Sequence, residues 1–60
     1  MATSEAQERV DLIMRYGRAL KSSGYPPDIV KSNLNAAKHI PISTLREYVQ
    51  KIEARLAGQG

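Results

Sequence analysis

His39 is the only histidine in this chain of 60 residues, cysteine is absent, and three of the six carboxylates, Glu5, Glu8 and Asp11, crowd into one short stretch near the start. Acid–base and nucleophilic catalysis need titratable groups held against one another with tuned protonation, and no such set is in reach of the lone imidazole. His39 stands beside a turn and reads as a partly exposed loop residue, with contact to a phosphate as its functional alternative. The three acids have the look of metal ligands, yet negative charge at the first turns of a helix is what the helix dipole favours by itself. There is no glycine-rich phosphate loop, and a core this small leaves little room to enclose a small molecule. The expectation is therefore a protein that is not an enzyme, with no catalytic residue, no metal, no cofactor and no small-molecule substrate.

The remaining chemistry is cationic. The net charge is +3, but residues 12–46 carry Arg15, Arg18, Lys21, Lys31, Lys38 and Arg46 against Asp28 alone, while the first eleven residues are net acidic and residues 47–60 balance. A basic middle suits a polyanion or an acidic protein surface, set against the ordinary role of such residues as a solvated face. No apolar run approaches the ~20 residues that span a bilayer, and the opening MATSEAQERV lacks the basic-then-apolar order of a secretory signal. No membrane association is expected, and the cytoplasm is the expected location.

Three helices must position these groups. Ser4 with Gln7 three residues on fits a capping box, and an apolar line of Ala6, Val10, Ile13, Gly17 and Leu20, flanked by Leu12, Met14, Tyr16 and Ala19, predicts a helix over 5–22. Glu5 with Arg9 and Asp11 with Arg15 are spaced for ion pairs along it. Gly17, costly inside a helix, suggests a close approach of another helix. SSGYPPD then ends the helix, with Gly24 suited to a left-handed cap and two prolines barring continuation. Pro27 and Asp28 open a second helix over about 27–38, directing Val30, Leu34 and Ala37 to the core with Ile29 alongside, and Pro41 closes it. Ser43 is the natural N-cap of a third helix over 44–57, whose stripe is Leu45, Tyr48, Val49, Ile52 and Leu56, with Glu47 and Lys51 as a favourable pair. Short connections between amphipathic helices give an all-α three-helix bundle over 5–57, with 1–4 and 58–60 expected to be disordered.

HIPISTLREYV, residues 39–49, resembles the turn and recognition-helix start of helix-turn-helix DNA-binding domains, especially the pipsqueak and invertase-like kinds. Ile40 and Leu45 would plug the angle between the helices and Tyr48 would anchor the second. The resemblance implies that side chains near the start of the third helix reach base edges in the major groove. Arg46 and Gln50 are the apt readers, since Arg pairs in two-point fashion with guanine and Gln with adenine. Ser43, Thr44 and Lys51 would hold phosphates, and Arg15, Arg18, Lys21, Lys31 and Lys38 could flank the helix as further phosphate contacts. The chain departs from those families at Asn35, His39 and Lys38, where a small residue, a glycine and an apolar residue are usual.

Two functions follow as expectations. The first is a small regulatory protein that binds duplex DNA through its third helix, dimeric because one short recognition helix reads few bases. The second is a non-catalytic interaction or dimerisation module, a homodimer, the partner of another protein or a terminal domain of a larger one, its apolar stripes exceeding what one small core can cover.

Overall fold

Ser4 accepts a hydrogen bond from the Gln7 amide on its side-chain oxygen, 3.1 Å away, and so opens the first helix as its N-cap. The structure, a computed structural model, describes residues 4–58. It contains three helices, α1 (Glu5–Ser22), α2 (Pro27–Ala37) and α3 (Ile42–Gly58), and no strand among the described residues. The fold is all-α. The expected disorder at 1–3 and 59–60 lies outside the described residues, whereas Ser4 and Gly58 belong to the helical domain.

Each helix end has a local cause. At the end of α1 the Gly24 amide bonds to Lys21 O and the Tyr25 amide to Leu20 O, with Gly24 at φ 89°, so a Schellman cap closes the helix. Pro27 occupies the first position of α2, where its missing N–H costs nothing. The start of α3 corrects the sequence expectation. The helix begins at Ile42, with the Leu45 amide bonded to Pro41 O at 3.0 Å, and Ser43 therefore stands inside the first turn instead of capping it. Proline fixes a φ compatible with helix entry, and the chain turns into α3 straight from it. At its other end α2 stops at Ala37, one residue short of expectation.

Contacts along the helices show their directions. Gly17 meets Leu34, and the Arg9 side chain reaches Ala37, so α2 runs antiparallel to α1. Glu8 meets Arg46 and Arg15 meets Glu53, so α3 runs parallel to α1. Leu12, Ala37, Leu45 and Val49 form one buried cluster at the α2–α3 turn, and Ile40 packs on it. Ala19, Leu20, Val30 and Ile52 form the other, covered by Leu34 and Leu56. Tyr16 touches both clusters.

The apolar face of α1 sits differently from its simplest reading. Leu12, Ala19 and Leu20 are buried, yet Val10 and Met14 are 50% and 59% exposed. Helix α1 packs on α3 along one side and on α2 along another, so its buried arc is centred between them and the edge carrying Val10 and Met14 is left in solvent. On α2 Ile29 is exposed, and on α3 Tyr48 is exposed along one side while the neighbouring Val49 is fully buried.

Candidate functional site

The residues expected to contact DNA do not share one surface. Ser43 and Gln50 are exposed on the outer side of α3 together with Glu47 and Ala54, the four lying within about 60° of one another at 3.6 residues per turn. That face carries one acid and no cation. Lys51 is exposed on its flank and Thr44 is half-buried.

Arg46 is held by the protein itself. Its Nε and Nη2 both donate to Glu8 Oε2, Nε at 3.2 Å. Arg15 is held likewise, with Nε and Nη2 donating to the two oxygens of Glu53 at 3.2 and 2.6 Å. The guanidinium raises no question of charge, and its hydrogen bonds keep the Glu53 carboxyl below the usual carboxylate range. Asp11 therefore does not pair with Arg15 and instead accepts a bond from Gln7 at 3.4 Å. Arg18 lies beside Arg15 and Glu53 on the same side of the molecule.

Lys21, Lys31 and Lys38 line one groove on another side of the molecule. They rim an open groove of about 870 Å³ between α1 and α2, whose walls include Ile13, Val30 and Leu34 and whose acid is Asp28. Val10 and Met14, both exposed, lie with Lys21 within about 40° on α1 but outside the lining of the groove itself. Gly17 lets Leu34, one of the lining residues, come close to α1. A Cβ there would stand 3.0 Å from Leu34 Cδ1, so only glycine lets α2 come this near without displacement.

Two arrangements escaped sequence reasoning. Arg9 Nη1 donates to Ala37 O at 3.1 Å and Ile40 O at 2.6 Å, tying the end of α2 and the following turn to α1, while Glu5 stands 4.0 Å away. The three tyrosines, scattered at positions 16, 25 and 48, converge on a small cleft with Asn33, Lys51 and Arg55. Nothing in local spacing announces either, because both depend on which helices meet. His39 is exposed in the α2–α3 turn. No group of three or more His, Asp or Glu is arranged to hold a metal among the described residues, and none of their helices is long and apolar enough to cross a membrane.

Comparison with known proteins adds no relative: no family model matches the sequence, no curated protein matches it, and no solved structure matches the fold.

Proposed function

We propose that this chain is a non-catalytic protein-interaction module whose α1–α2 groove receives an acidic amphipathic helix from another protein. The observation that carries this reading is the groove lined by Ile13, Val30 and Leu34, with Lys21, Lys31 and Lys38 around it against Asp28 alone; Val10 and Met14 are exposed on the same side of α1 as Lys21. An amphipathic helix lays an apolar stripe into such a groove, and flanking glutamates on it would meet the lysines. A basic partner helix would face the same lysines with like charge, which gives the site a preference of sign.

The test is a nuclear magnetic resonance titration of the isotope-labelled chain with two designed helical peptides. Both carry leucines at i, i+3, i+4 and i+7, one flanked by glutamates and the other by lysines. Shifts at Val10, Ile13, Met14 and Leu34 with the glutamate peptide alone, reduced by Lys31→Glu, support the proposal. Absence of binding, equal binding of both peptides, or shifts confined to α3 overturn it.

A second reading, duplex DNA bound by α3, is favoured by the exposure of Ser43 and Gln50 along one outer face with Lys51 at its side. It requires Arg46 to leave Glu8, because a base contact and this ion pair use the same donors. Salt-dependent affinity for duplex DNA that increases in Glu8→Gln and falls in Arg46→Ala supports this reading; no affinity at low salt removes it.

A further inference from the structure

Every aromatic side chain of the protein lines one cleft. Tyr16, Tyr25 and Tyr48 surround about 220 Å³ of open space together with Asn33, Lys51 and Arg55, over a floor formed by Leu20 and Ile52. Tyr16 and Tyr48 lie against each other, ring centroids 6.5 Å apart and planes inclined by 35°. Tyr25 and Tyr48 remain 41% and 45% exposed. A large aromatic ring left in water beside its own core is surface that a ligand can cover.

The polar members of the cleft have one sign. Lys51 and Arg55 stand one turn apart on α3, ~6 Å along its axis, and no carboxylate lines the cleft. Arg9, Arg15 and Arg46 each have a carboxylate partner within 4.0 Å, whereas Lys51 and Arg55 have none among the described residues. Glu47, four residues before Lys51, lies outside the lining. Asn33 donates through Nδ2 to Ile29 O at 2.8 Å, which fixes the side chain and leaves its oxygen as an acceptor.

We infer that this cleft binds single-stranded nucleic acid, with a base covering the exposed faces of Tyr25 and Tyr48 and neighbouring phosphates on Lys51 and Arg55. Aromatic faces beside unpaired cations form the stacking platform that single strands use, and stacking tolerates any base because each has a π-face. A duplex cannot use the tyrosines in this way, since its base faces are already stacked on one another. A purely acidic peptide such as polyglutamate would satisfy Lys51 and Arg55 but carries no planar ring to stack on the tyrosines. The inference is independent of the α1–α2 groove, which shares none of these residues.

The protein supplies its own probe. It contains no tryptophan, and its three tyrosines all line this cleft, so intrinsic tyrosine fluorescence reports the site alone. The experiment titrates the whole chain at low salt with a short oligothymidylate, with a duplex of equal charge, with inorganic phosphate and with polyglutamate. Quenching by the single strand, weakening as salt rises, is the expected result. Tyr48→Ala and Tyr25→Ala should each lower affinity about 5- to 100-fold, while Tyr48→Phe keeps it, because the ring stacks and the hydroxyl does not. Lys51→Ala and Arg55→Ala should each reduce the salt slope by about one phosphate contact. These four positions are exposed, and circular dichroism checks that each variant keeps its helices. The proposal is overturned by absence of quenching, by tyrosine variants that bind like the parent, or by duplex, phosphate or polyglutamate binding as tightly as the single strand.

Discussion

Arg46 and Glu8 lie 38 residues apart in the chain and are joined side chain to side chain, and Arg15 and Glu53, at the same separation, repeat the contact with the charges exchanged. Each helix thus carries an acid and an arginine seven residues apart, in opposite order. Sliding α3 by one such repeat would set Arg46 against Arg15, or Glu53 against Glu8. The two pairs consequently specify how α3 lies along α1, and they do so mainly by penalising the wrong alignments. As contributions to stability they are small, since all four side chains are more than one-third exposed.

In a double-mutant cycle, Glu8→Arg and Arg46→Glu should each destabilise the bundle, and the exchanged pair together should recover a coupling of about 0.2–1 kcal/mol. The coupling should shrink in high salt. Denaturant unfolding of the four proteins measures it, and strictly additive effects would show that the pair sets no register.

Arg9 should matter more than either pair. One of its nitrogens supplies hydrogen bonds to two backbone oxygens that the helix and turn leave without partners, in a part-buried setting. Hydrogen bonds from a charged donor contribute about 1.5–3 kcal/mol, a large share of the stability of so small a domain. Arg9→Ala should lose about that amount, and Arg9→Lys should recover only part, because the shorter ammonium side chain lacks the guanidinium's reach and planar fork. Thermal melts followed by circular dichroism test both. Amide exchange should accelerate first around the α2–α3 turn.

How much of this was legible in the sequence divides along a physical line. Features set by neighbours along the chain could be read: the Ser4 cap, the Gly24 left-handed stop, proline at the start of α2, and the stripe of Leu45, Val49 and Ile52. Gly17 also announced the approach of another helix, and Leu34 is what approaches. Features set by the angle between helices could not. Val10 and Met14 belong to the apolar line by spacing, yet they face solvent because α2 and α3 take two other arcs of α1. The cationic residues 12–46 form one segment in sequence and several surfaces in space, and Arg46, one of the two residues expected to read bases, is engaged by Glu8, 38 residues away in the chain. The Glu8, Arg15, Arg46 and Glu53 repeat was available as a signal, but only to a reading that already placed α1 and α3 side by side and parallel.

Gly17 permits a prediction in which two effects oppose. Alanine in place of glycine inside a helix gains about 1 kcal/mol, but its Cβ would come 3.0 Å from Leu34 Cδ1. The atom met is the tip of a half-buried side chain beside an open groove, so Leu34 can yield by a few tenths of an ångström. Gly17→Ala should therefore stay within about 1 kcal/mol of the parent, while Gly17→Val, which cannot be accommodated by so small a shift, should cost about 1–3 kcal/mol. Denaturant unfolding measures both changes, and titration with the glutamate-flanked peptide separates the effects of the two variants on binding. Gly17→Val displaces Leu34 and should weaken the groove, and retention of full peptide affinity by that variant would place the binding surface elsewhere.

Glu53 supplies a prediction on the acid side. Hydrogen bonding to Arg15 lowers its folded pKa, with burial opposing slightly and the arginine's charge assisting. A depressed carboxyl binds its proton more readily in the unfolded chain, so its stabilising contribution is present above the unfolded value of about 4.3 and is lost as pH falls through the lower folded value. The parent should lose stability on acidification across that window by more than Glu53→Gln, whose side chain does not titrate. The difference should be small because the pair is solvent-exposed. Identical acid profiles for the two proteins would show that the pair does not persist in solution.

Tyr16 gives the corresponding prediction in alkali. Burial raises its pKa above the ordinary phenol value, and the neighbouring Tyr48 and Tyr25 raise it further. A raised folded pKa means that the folded protein holds this proton more tightly than the unfolded chain. The associated stability is fully present below the unfolded value of about 10 and disappears as pH rises through the folded one. Tyrosinate absorbance should show a late-titrating component in the parent that is missing in Tyr16→Phe, and alkaline unfolding should be shallower in that variant over the same window.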